Sequence, residues 1–236
     1  MKKGKLIVIE GNDGSGKATQ VKLLYDYLQE RKICVKTIDF PRYNDSFFGK
    51  FIGRFLQGEF GKLEEINPYL ISIVYAEDRK EARNEIDQWL SEGSIVIANR
   101  YVPSNLAHQS GRLPKDKQAA FINWDTELEY TINKLPKEDM IIYLHMPVIM
   151  SQKLLIAKVE REDMVEKDAV YLKNSEEVYN GLAEQFSHWE TIECVDTKGN
   201  LRSVEEIHNE LKKIMCFFLW NSSPSMNSQK QINCGS

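Results

Sequence analysis

Cysteine is scarce and scattered: Cys34, Cys194, Cys216 and Cys234 form neither a Cys-x-x-Cys pair nor a Cys/His cluster of zinc spacing. A disulfide framework and a zinc module are thereby excluded, and reduced thiols in a cytoplasmic protein are the expectation. Long apolar runs are missing too. The run Leu6 to Ile9 ends at Glu10-Gly11, far short of a signal-peptide core, and none approaches membrane-spanning length, so a soluble chain is expected. Nor does one sign of charge dominate. With 31 Lys+Arg against 35 Asp+Glu the formal net charge is -4, which argues against a basic face for a nucleic-acid polymer and leaves room for a local cationic pocket. Thirteen glycines and seven prolines are too few for a collagenous chain, and 42% hydrophobic residues too many for a disordered one. No repeat of solenoid period is visible.

What is present is one domain's worth of chain, 236 residues, with strand and helix signals in alternation. Leu6 to Ile9 is a continuous, largely β-branched run that suits a strand buried on both faces; a glycine-rich turn follows, then a helical pattern through Val21, Leu24 and Leu28. Val35 to Phe40 is a second strand signal, and Ser46 to Leu56 a helix carrying Phe47, Phe48, Phe51, Ile52 and Phe55. Asn67-Pro68 starts a helix that runs to about Glu92, before Gly93. Ser94 to Ala98, Met140 to Leu144 and Ile192 to Val195 supply three more strands, with helical stretches between them. Ser203 and Glu206 make a capping box for a final amphipathic helix. The alternation predicts an α/β fold, a five-stranded parallel sheet flanked by helices, over residues 1–220; the polar stretch 221–236 reads as a disordered tail.

The strongest chemical signal is Gly11-Asn12-Asp13-Gly14-Ser15-Gly16-Lys17, placed between the first strand and the first helix. Glycines permit a loop whose N–H groups turn inward, the helix N-terminus adds partial positive charge, and Lys17 reaches the outer phosphates of a nucleoside triphosphate. With Ala18 and Thr19 these nine residues are the expected ATP-binding segment. Ala18 departs from the pattern, because a Ser or Thr hydroxyl ordinarily holds magnesium there. Magnesium keeps several of its waters, so phosphates and water remain able to hold it.

A second anion site is implied at other strand ends, where ligands of open α/β sheets gather. Strand two ends in Asp39-Phe40-Pro41-Arg42 and strand three in Asn99-Arg100-Tyr101; the long helix between them carries Tyr75 to Arg79. Arg42, Arg79 and Arg100 are expected to converge on one cleft, where guanidinium groups suit an acceptor phosphate and Tyr75, one turn before Arg79, suits stacking on a base.

Taken in order, these motifs resemble the thymidylate kinases, a family of P-loop nucleoside-monophosphate kinases, over about residues 5 to 215: Gly-x-Asp-Gly-x-Gly-Lys, Phe40-Pro41-Arg42, Tyr75 to Arg79, Asn99-Arg100-Tyr101, Ser104, and Ala107-His108-Gln109. The resemblance implies a three-layer P-loop NTPase fold and transfer of the ATP γ-phosphoryl group, with Mg2+, to thymidine 5′-monophosphate. It implies that Asp13 meets the deoxyribose 3′-hydroxyl, that Arg42 and Arg100 bind the acceptor phosphate, that Tyr75 stacks on thymine, and that Arg79 and Gln109 bond the thymine edge. Ser104 falls in the same substrate set, and His108 stands where the family has an aromatic beside the sugar. Lys17, Arg100, Asp13 and a lid cation form the implied catalytic group, and a homodimer is the implied assembly. Asn99 replaces the usual Asp, so with Ala18 two metal-side oxygens differ and no metal ligand is assigned. One methyl separates thymidylate from deoxyuridylate, a contact worth about 1–3 kcal/mol, and the two acceptors stay open here.

The charged stretch at about 157–169 reads as a short lid; Arg161 is its first candidate cation and Lys158 its second, since Gly14 leaves the P-loop without an arginine. Two other functions stay in view. A deoxynucleoside kinase would use Asp39 as general base towards a neutral hydroxyl. A nucleotide-binding protein without turnover would account for Ala18 and Asn99 together.

Overall fold

In a computed structural model, which describes residues 3–157 and 169–221, five parallel strands stand in the order β2-β3-β1-β4-β5. They are β1 Lys5–Glu10, β2 Val35–Asp39, β3 Ile95–Asn99, β4 Met140–His145 and β5 Trp189–Glu193. The helices are α1 Lys17–Glu30, α2 Phe47–Leu56, α3 Pro68–Ser91, α4 Val102–Ser110, α5 Lys115–Thr126, α6 Val148–Ala157, α7 Ala169–Gln185 and α8 Val204–Asn221. A six-residue π-helical segment, Glu127–Ile132, continues α5.

The two-residue period of a strand sorts β1 into two cores. Leu6 and Val8 face a layer with Ala82, Ile86 and Leu90 of α3, Val102 and Leu106 of α4 and Leu182 of α7. Ile7 and Ile9 face Leu24 and Leu28 of α1 and Ile207 and Leu211 of α8. Leu6 through Ile9 have no exposed surface, and each such aliphatic contributes roughly 1.5–3 kcal/mol on burial. The expectation of a doubly covered parallel sheet is met.

One boundary needs correcting. The apolar run Ile192 to Val195 was expected to be the fifth strand, but β5 is Trp189–Glu193, with only Trp189 and Ile192 buried. An edge strand is half covered, so polar residues interrupt its apolar signal; Val195 instead makes an antiparallel bridge with Leu201. The expected lid residues Lys158 and Arg161, and the tail 222–236, lie outside the described residues.

Registry sets the site. Ile9 pairs with Asn99 and Asn99 with Asp39, so the carboxyl ends of β1, β3 and β2 stand side by side. From β1 the chain moves outward to β2 on one side and later to β4 on the other, so the loop after β1 sits where the winding reverses.

Candidate active site

The loop after β1 is a cradle held by its glycines. Gly11 has φ 146°, and a Cβ there would stand 2.6 Å from the Leu144 carbonyl oxygen of β4. Gly14 and Gly16 also take positive φ, 82° and 86°, and Gly16 caps α1. The Lys17 ammonium turns back over the loop, donating to the carbonyls of Gly11 (2.9 Å) and Asn12 (2.8 Å). Burial and then Arg100 pull it down to about 7, despite Asp13 at 3.8 Å. Among the described residues Ser15 Oγ and both side-chain polar atoms of Asn12 are buried without a hydrogen-bond partner. Of these the Ser15 hydroxyl and the Asn12 NH2 are donors, the kind of group an anion in the loop takes up.

Next to it, Arg100 occupies the left-handed region at φ 66°, which costs an ordinary side chain about 1–2 kcal/mol. Its N–H donates to the Ile9 carbonyl (3.0 Å), and its guanidinium is ion-paired with Asp13 and donates to Ser104 Oγ (3.0 Å) and His108 Nε2 (3.1 Å). Because arginine only donates, His108 Nε2 accepts, so its proton sits on Nδ1 and goes to the Tyr171 hydroxyl at 3.0 Å. Burial, then Arg100, push His108 down to about 3, so the ring stays neutral. Burial would raise the Asp13 carboxyl, but Arg100 and Lys17 outweigh it and hold the group well below the usual carboxylate range.

Glu10 ends β1 with a fully buried carboxylate. It accepts from the Tyr101 N–H (2.8 Å), the Ser104 N–H (3.1 Å), Ser104 Oγ (2.7 Å) and the Tyr179 hydroxyl (2.9 Å), and so fixes α4 against the sheet. Sequence reasoning passed it over; a charge closing an otherwise apolar strand was the available signal.

The inner cleft is lined by Asp13, Phe40, Tyr43, Tyr75, Arg79, Arg100, Ser104, Asn105, His108, Gln109 and Tyr171. Tyr75 and Arg79 come from successive turns of α3, as their spacing required. Arg79 is buried and ion-paired with Glu129, also donating to it through Nε at 3.0 Å. Burial alone would lower this guanidinium, yet Glu129 holds it above its ordinary value; the Glu129 carboxyl is raised by burial, which Arg79 only partly opposes. Nearby, the Asn105 amide donates to both Asp125 oxygens (2.9 and 3.1 Å), and burial followed by Glu129 pushes Asp125 up to about 8. Gln109 accepts from Arg112 at 2.7 Å. Asn105, Arg112, Asp125 and Glu129 were not anticipated; apart from the Arg112–Gln109 pair, their partners lie far along the chain.

Of the three arginines expected to converge, two do. Arg42 is absent from the cleft lining: Asp78 takes its backbone N–H (2.9 Å) and its Nε (3.4 Å), Glu81 takes Nη2 (3.3 Å), and the side chain lies over α3 beside a neighbouring hollow. Two carboxylates on α3 outcompete the open cleft for it. Asp78, itself buried, also binds the Ser46 hydroxyl that caps α2.

The metal side is sparse. Ala18 and Thr19 are exposed on α1, and among the described residues no group of three or more His, Cys, Asp or Glu could hold a metal. Asn99 donates to Asp39 Oδ1 (2.6 Å), leaving Asn99 Oδ1 buried and without a partner among the described residues. These donors fit an ion carried by phosphates and water, and do not fit a protein cage. Asp39 lines the neighbouring hollow and not the inner cleft, which counts against a general base acting on a neutral acceptor.

Comparison with known proteins identifies the family and the fold. Residues 9–211 match the family model described as Thymidylate kinase. The chain is 32% identical over 212 residues to a thymidylate kinase of Plasmodium falciparum, covering 90% of each. It is 31% identical over 185 residues to one of Mycobacterium tuberculosis, covering 76% of this chain and 86% of that one. A solved thymidylate kinase from Candida albicans superposes with a TM-score of 0.75 over 94% of both chains at 20% identity, which speaks to the fold.

Proposed function

The chain belongs to the thymidylate kinase family of nucleoside-monophosphate kinases, and on that premise we propose that it transfers the γ-phosphoryl group of ATP to thymidine 5′-monophosphate, giving the diphosphate and ADP. The observation that carries this reading is the ion pair between Asp13 of the phosphate loop and Arg100 after β3, which joins the donor loop to the acceptor cation.

The attacking group of a phosphate acceptor is already an anion, so no general base is required and the site works by placement and charge. The N–H groups of Asn12 to Thr19 and Lys17 hold the donor phosphates. Arg100 takes the acceptor phosphate, with Ser104 and neutral His108 keeping its fork aimed, and Asp13 meets the sugar hydroxyl. Tyr75 stacks on the base, and Arg79 and Gln109 meet its edge. Arg42 joins the phosphate on leaving Asp78 and Glu81. Asp39 and Asn99 are the residues that would hold the water shell of a magnesium ion bound with ATP, which would supply neutralisation of charge on the phosphate oxygens. The resemblance that assigns these roles extends to a homodimer. No helix among the described residues is long and apolar enough to cross a membrane.

The test is ADP release with ATP and magnesium, comparing thymidine monophosphate with thymidine and with deoxyuridine, cytidine and adenosine monophosphates. Thymidylate is expected to lead. Turnover led by thymidine would overturn the acceptor assignment. Ala18 and Asn99 support a second reading, nucleotide binding without turnover. Silence with every acceptor despite ATP binding would favour it, and a sharp gain from Ala18→Ser with Asn99→Asp would trace the silence to the metal side.

A further inference from the structure

Gln109 is a buried carboxamide in the wall of the inner cleft, and a carboxamide is ambiguous: turned one way it offers two donors, turned the other an acceptor. A pocket that must tell one base edge from another has to remove that ambiguity. Here the neighbour that does so is Arg112, one turn beyond Gln109 and outside the cleft lining. Its Nη1 donates to Gln109 Oε1 at 2.7 Å, while Nη2 donates to the carbonyls of Leu63 and Ile66 just before α3. Guanidinium carries no acceptor and stays charged, so only the amide oxygen can face it. The Gln109 NH2 is then left to the cleft.

Asn105, one turn before Gln109 on α4, shows the opposite sense. Its NH2 is given to Asp125 and its buried Oδ1 has no partner among the described residues. That oxygen is closed off from the cleft, so the wall offers donors, one from Gln109 and one from Arg79. Thymine and uracil present a carbonyl oxygen at C4, which matches them. Cytosine presents an amino group there, which opposes them.

We infer that Arg112 is a specificity-determining positioning residue: by locking the polarity of Gln109 it makes the cleft select a 4-oxo over a 4-amino pyrimidine nucleotide. The inference rests on the acceptor reading above and adds a residue that touches no substrate.

The experiment measures Kd for thymidine and deoxycytidine monophosphates by calorimetry, and kcat and KM with both, for the full chain and three variants. Arg112→Gln, which donates or accepts, is expected to lower the thymidylate-to-deoxycytidylate preference about tenfold or more, through Kd and KM with kcat for thymidylate little changed. Arg112→Lys, a donor only, is expected to keep the preference. Gln109→Glu, nearly isosteric and acceptor-only, is expected to shift the preference towards deoxycytidylate, and it decides the matter alone if Arg112→Gln does not fold. An unchanged ratio in either Arg112→Gln or Gln109→Glu would overturn the inference while leaving the thymidylate reading intact. No thymidylate binding by the unaltered protein would instead sink that reading, and this inference with it.

Discussion

Lys17 shows how burial converts a side chain into a proton-linked device. In the free protein its pKa falls to about 7, chiefly by burial, with Arg100 adding repulsion. Donor phosphates favour the charged form, so below pH 7 the ammonium is already present, and above it binding must take up a proton. ATP affinity should therefore weaken as pH rises beyond about 7, by up to about tenfold per pH unit, with an uptake approaching one proton. Calorimetry at pH 8.5 in buffers of different ionisation enthalpy measures that uptake; a value of zero would show that Lys17 does not change charge. At this scale the sequence was legible wherever a residue's place follows from its own motif. Asp13, Lys17, Tyr75, Arg79, Arg100, Ser104, His108 and Gln109 do line the cleft or its phosphate loop. It was illegible where a role is conferred by distant partners: Glu10 acts on Ser104, Glu129 on Arg79, and Asp78 draws Arg42 away.

Among the elements, the acceptor side depends on how closely α2 approaches the loop after β2. Gly49 makes that approach possible: a Cβ there would lie 2.1 Å from the Arg42 carbonyl oxygen and 2.7 Å from Ser46 Oγ. In an unconstrained helix, Gly→Ala stabilises by up to about 1 kcal/mol. Here Gly49→Ala should do the reverse, costing about 1–3 kcal/mol in urea unfolding, and should raise the acceptor KM as the Pro41–Ser46 loop is pushed off Asp78. Stabilisation with unchanged KM would show that the loop yields freely. Helix starts were readable from capping chemistry at Asn67 and Ser203, because a cap is a local event. Strand β5 was misplaced because its limits depend on what covers it.

The whole molecule is a sheet whose central strand carries the donor loop, which runs into α1 of one covering layer, while α3, α4 and α7 of the other layer carry the acceptor contacts. Both nucleotides therefore bind a surface that exists only when the sheet and both layers are assembled. Each ligand at a hundred times its Kd should add about 2.7 kcal/mol, a rise in Tm of roughly 5–10 °C for a chain of this size, and thermal unfolding with each nucleotide measures it. A shift with ATP and none with thymidylate would separate donor binding from acceptor binding. The alternation of strand and helix made this architecture readable in advance, since any right-handed parallel sheet must be wound this way. The ion pair between Asp13 and Arg100 has a last consequence. Because one carboxylate belongs to the donor loop and one cation to the acceptor site, filling either re-aims a group of the other. Occupancy of the two is then a thermodynamic linkage, and by reciprocity whatever factor ATP imposes on acceptor affinity the acceptor must return to ATP.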